Sequence, residues 1–142
     1  MAYKEVVIPQ SIWPGRENGG KLPNMGQNSI DHPAVIRPSE HAAWRPDRMG
    51  KSTLFESPRL LVGLNAFEPG QFHALHAHRG LDKVYQVVEG EGAFLLDGRE
   101  LAMKAGDLLV APEGVPHGVR NTGSGRLLVL AILAPAPGAT HS

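Results

Sequence analysis

The chain reads as all-β, two antiparallel sheets closing into one small barrel behind an N-terminal arm. Three observations predict this. The 17 glycines and 12 prolines punctuate short apolar runs at the spacing of an all-β domain. No stretch keeps a helical period. Asp97-Gly98 sits between two short runs, and type I′ hairpin turns need positive φ at both central positions, which this pair tolerates.

The elements follow in order. Tyr3 to Ile8 suits a strand, whereas Trp13 to Asn28 is rich in Gly, Asn and Pro without periodicity and reads as loop. Ser39 to Trp44 suits one helical turn capped by Ser39. Strands are expected at Thr53 to Glu56, Arg59 to Phe67, Gln71 to His78, Lys83 to Glu89 and Ala93 to Leu96. Four more follow at Arg99 to Met103, Leu108 to Ala111, His117 to Asn121 and Arg126 to Leu133. Glu68-Pro69-Gly70 and Ala105-Gly106-Asp107 break the chain between them. The expected organisation is an arm over residues 1–50, a barrel over 51–136 and a flexible tail over 137–142. The arm carries Val6, Val7, Ile8 and both tryptophans, which need burial. It can fold over its own barrel, or add a strand to a partner subunit and close an exposed sheet edge; a homodimer is expected.

A length of 142 residues suffices for one such domain. Fourteen basic and 14 acidic residues cancel without any block of like charge. The electrostatic footprint of a nucleic-acid or anionic-membrane binder is therefore missing, and small molecules are the expected partners. With no cysteine, disulfides, thiolate ligands and thiol nucleophiles are excluded together. The first residues place an acid and a proline where a signal peptide needs an apolar core. The longest apolar run, Leu127 to Ala134, is too short to span a bilayer as a helix. A cytoplasmic protein is expected.

Chemistry concentrates in two segments. His76 and His78 are two apart, so on a strand they share a face about 7 Å apart. His117 follows the turn-forming run Pro112-Glu113-Gly114-Val115-Pro116, which can deliver it from a neighbouring strand. Three neutral imidazoles facing one point make a divalent-metal site with positions left open; the bland alternative is three hydrogen-bonded structural histidines. His73 is an odd number of residues from His76 and is expected to face away. His32, His41 and His141 lie in loop or tail. Gly70, Gly90, Gly106 and Gly114 are expected at tight turns, Asn121 bonded to a turn backbone, Met103 in the core, and Phe72 and Phe94 lining or underpinning the cavity.

Both segments resemble the signature motifs of the cupin superfamily. The first, G-x5-H-x-H-x4-E-x6-G, is met by Gly70, His76, His78 and Gly90, with Lys83 at the glutamate position. The second, G-x5-P-x-G-x2-H-x3-N, is met in full by Gly106, Pro112, Gly114, His117 and Asn121. The likeness covers roughly residues 52–134 and implies a single jelly-roll-type cupin barrel. It also implies a metal site of three histidines and one glutamate, here without the carboxylate. An ammonium about 5 Å from a divalent ion is repelled by on the order of 5 kcal/mol at an effective dielectric near 20. Lys83 must then swing away, lose its proton, or preclude metal, unless a bulge brings Asp82 in as the carboxylate.

The function expected from these residues is binding of one divalent transition metal (Fe, Zn, Ni or Mn) by His76, His78 and His117. The ligand expected is a small anionic organic molecule, held or processed with Lys83 and, on the same strand face, Tyr85. The resemblance implies dioxygenase-, isomerase- or lyase-like chemistry; a non-catalytic binding module and a metal-free structural dimer are the rivals. Tyr85 has its own bland alternative, a core-edge residue whose hydroxyl reaches water.

Overall fold

The computed structural model describes residues 33–138; the strand at Tyr3 to Ile8, the loop at Trp13 to Asn28 and His32 and His141 lie outside them. All nine expected strands form. In chain order they are β1 (Gly50–Ser57), β2 (Leu60–Phe67), β3 (Phe72–His76), β4 (Asp82–Glu89), β5 (Glu91–Leu96), β6 (Arg99–Lys104), β7 (Leu108–Ala111), β8 (His117–Arg120) and β9 (Leu127–Ala134). Every sheet pairing is antiparallel. The strands sort into a five-stranded sheet in the order β1-β2-β9-β4-β7 and a four-stranded sheet in the order β3-β8-β5-β6.

The two inner faces meet in one core. Phe67, Tyr85, Val87 and Val129 of the larger sheet pack with Phe94, Met103 and Val119 of the smaller, as the period of two requires. The motif glycines Gly70, Gly90, Gly106 and Gly114 all have positive φ, a backbone conformation that glycine adopts without the strain an L side chain would bring. Asn121 does the work of a clamp. Its amide donates to the carbonyls of Phe67 at 3.0 Å and Gly125 at 2.9 Å while its oxygen accepts from the Gly123 amide. Buried, it ties the end of β2 to the turn before β9.

The larger sheet also buries its outer face. Leu54, Leu64, Ala66 and Leu128 form a second apolar cluster against Ile36, Ala42 and Trp44 of the segment before β1. That segment is held by Ser52, whose hydroxyl donates to the His41 carbonyl at 2.8 Å. The helical turn expected at Ser39 to Trp44 is instead a short 3-10 turn over Pro38–His41, entered through Arg37 without any side-chain cap. Proline at the first helical position fixes the start there. Phe72 departs from expectation too: it lies on the outer face, 58% exposed, and does not line the cavity.

Candidate metal centre

The two motifs meet because their loops are laced together. The Gly114 amide donates to the carbonyl of His78 at 2.8 Å. The Gly80 amide donates to the Glu113 carboxylate, and the Glu113 amide to the Asp82 carboxylate, each at 2.9 Å. Asp82 is thus spent on the outside of the barrel and takes no place in the site. Within the sheet, His76 stands directly opposite His117 in the β3–β8 ladder.

His76, His78 and His117 converge, offering one nitrogen each, all within 4.8 Å of one another. The backbone sets their tautomers. Nδ1 of His76 faces the Ala74 carbonyl at 2.7 Å and Nδ1 of His117 faces the Val115 carbonyl at 2.9 Å, so each carries its proton on Nδ1 and leaves the Nε2 lone pair free. The Nε2 atoms of all three histidines are buried without a hydrogen-bond partner. Buried polar atoms are almost always paired, and three orphaned lone pairs facing each other are what an imidazole-ligated divalent ion satisfies. Burial, then the charge of Lys83 and neighbouring histidines, pushes the His78 imidazole down to about 4. Burial likewise lowers His76 and His117, against the opposing pull of their backbone bonds. All three are therefore held in the neutral, ligating form at neutral pH.

His76 and His78 open on a cavity of about 330 Å³ whose wall also includes Lys51, Asn65, His73 and Lys83. Lys83 enters it from β4, only 4% exposed, with Nζ 4.5 Å above the Tyr85 ring. Burial, and secondarily Lys51, lower its amine from 10.5 to about 8. The ring face attracts the ammonium, but by about 0.5–2 kcal/mol, too little to offset desolvation. Tyr85 is fully buried and its hydroxyl has no partner, so the alternative in which that hydroxyl reaches water is wrong. Burial raises it, keeping it protonated. Tyr85 lies edge-on to His117 with ring centroids 5.7 Å apart, joining the lysine to the histidine cluster. Small residues make the space: Gly63 and Ala131 stand in the same cross-strand row as Tyr85.

His73 contradicts its expected orientation. A register shift between His73 and His76 inserts a bulge into β3, which turns His73 to the cavity side with its ring 4.2 Å from that of His76. Its Nδ1 is buried and unpartnered, and burial pushes it down to about 3. Gly118 makes the bulge possible, because a Cβ there would sit 2.6 Å from the His73 carbonyl oxygen. Lys51 and Asn65 went unnoticed in the sequence. Their inward direction was available from the period of two along β1 and β2, since Lys51 pairs with Asn65 and both line the cavity.

The sequence profile of the cupin domain matches residues 63–133. This chain belongs to the cupin family. The cupin is 32% identical over 85 residues to an oxalate-binding protein of Thermotoga maritima, an alignment covering 60% of this chain and 69% of that protein. It is 33% identical over 69 residues to a gentisate 1,2-dioxygenase of a Ralstonia species, covering 48% of this chain but 19% of the dioxygenase. A crystal structure from Thermus thermophilus superposes with a TM-score of 0.67 at 38% identity, covering 71% of this cupin and 96% of that chain.

Proposed function

We propose that this cupin holds one divalent transition metal through the Nε2 atoms of His76, His78 and His117 and binds a small anionic organic molecule in the adjoining cavity. The observation that carries the reading is the set of three buried, unpartnered Nε2 atoms facing one another within a single ion's reach. Fe, Zn, Ni and Mn all suit imidazole nitrogen. A bound ion would supply a Lewis acid that neutralises an oxyanion. The protein's own part is to fix the tautomers, to present Lys83 to a carboxylate, and to keep Tyr85 protonated beside it. Two lysines and no Asp or Glu among the described cavity residues favour an anion, as does the relative named for oxalate binding.

Turnover of the dioxygenase, isomerase or lyase kind is the catalytic form of this reading, supported by the likeness to a dioxygenase. Binding without turnover is the second form, favoured by Lys83, which replaces the carboxylate of the first motif. Metal analysis of tag-free protein decides the common part. One equivalent per chain is expected, falling at least tenfold in His117→Ala and vanishing in the triple variant His76→Ala, His78→Ala, His117→Ala. Equal metal in the triple variant and the native chain would falsify the site. Oxygen uptake and product analysis on small carboxylates then separate turnover from binding.

A further inference from the structure

Lys83 is a buried amine with no use in the assembly of the barrel. Among the described residues it has no hydrogen bond and no ion pair, and its ammonium stands over the face of Tyr85. Its neighbours are a second cation, Lys51, and the apolar walls Leu61, Ala131 and Leu133. A lysine ammonium placed so is costly to bury, and nothing in this wall offsets that cost with a carboxylate. An amine in such a place is a nucleophile.

We propose that Lys83 captures carbonyl compounds: its Nζ condenses with the keto carbon of a small 2-oxo carboxylate in the cavity to form an imine. The amine lone pair makes the C–N bond, the C–O bond breaks, and both amine protons leave with the carbonyl oxygen as one water. No electron is gained or lost. The carboxylate faces Lys51, and the cavity of about 330 Å³ is at the small end for ligand sites, which admits a ligand of only a few carbons. An amine lowered to about 8 holds roughly two powers of ten more free base at neutral pH than an ordinary lysine. The proposal rests on the cavity being the ligand site, and not on the metal.

The test incubates metal-stripped and zinc-loaded full chain with pyruvate and cyanoborohydride, which reduces an iminium to a stable secondary amine. Intact mass and peptide mapping then give site and rate. A single adduct on Lys83 is expected, forming at least tenfold faster than on Lys51 or Lys104, with acetone reacting at least tenfold more slowly for want of the carboxylate. No adduct, or labelling spread evenly over the three lysines, overturns the capture site; acetone labelling as fast as pyruvate overturns the 2-oxo carboxylate as its ligand. Because the site is read on native protein, misfolding of Lys83→Met cannot mimic either result, and Lys83→Arg, which keeps the charge, should also lose the adduct. Zinc uptake measured by calorimetry on the same samples reports the metal reading separately, so uptake without an adduct overturns the imine site alone.

Discussion

An ammonium and a divalent cation compete for the same negative partner, and the proposed site would set Lys83 and the metal side by side with none supplied. Two substitutions separate its effects. Lys83→Glu adds a ligand and removes a cation, so metal affinity should rise about tenfold or more while carboxylate affinity falls by a similar factor. Lys83→Met only removes the cation; metal affinity should hold or rise slightly, and carboxylate affinity should still fall. Titration calorimetry with one metal and a panel of carboxylates reads both, and unchanged affinities in both variants would sink any ligand role for Lys83. The buried imidazoles make a second prediction. The folded chain keeps His73 and His78 neutral down to about 3 and about 4, whereas unfolded histidine protonates near 6.5. Between those values the unfolded state binds more protons, so the metal-free protein should be stable above about pH 6.5 and lose stability steadily as the pH falls to about 4. Melting curves of stripped protein across that range check the sign; a Tm that is flat or rises on acidification would contradict it.

At the scale of strands, alternation and turn residues carried most of the architecture. Asp97-Gly98 does close the β5–β6 hairpin, and each expected strand matches an observed one to within two residues at either end, save that β1 begins at Gly50, three residues before the expected Thr53. The reason is local: period two and positive-φ glycines are written in single residues. The three histidines were legible on nearly the same ground, although His78 lies two residues past the end of β3 and is placed by the bond from the Gly114 amide to its carbonyl, not by strand alternation. The bulge in β3 was not, since an extra residue shows only once β8 is in place to pair against, and His73 was misdirected with it. Gly118 is where this can be tested. A methyl there meets the bulged backbone, so Gly118→Ala should cost about 1–3 kcal/mol and, by pushing β3 from β8, weaken metal binding at least tenfold. Gly125, with open space around its Cα, is the control: Gly125→Ala should fall within about 0.5 kcal/mol of the native chain. Equal melting temperatures for the two variants would show that the bulge is not held by that contact.

For the whole molecule the open question is what the uncovered apolar surface meets. Leu108 and Val110 are each 55% exposed on β7, an edge strand of the larger sheet, and an exposed apolar edge is a place for another chain to pair. A homodimer is expected, at twice the 15.2 kDa chain mass by light scattering. A monomer at micromolar concentration, unchanged on deleting residues 1–30, would remove the arm from any role in assembly. The larger sheet is apolar on both faces, and its outer cluster is capped by Ile36, Ala42 and Trp44, well upstream of residue 63, where the family match begins. Anyone trimming this chain to its recognisable core, or splicing that core into a fusion, would remove β1 with Leu54 as well as the cap, bare Leu64, Ala66 and Leu128, and produce sticky, poorly expressing material. Any cut that keeps this cap lies before Ile36, at a point that no motif marks.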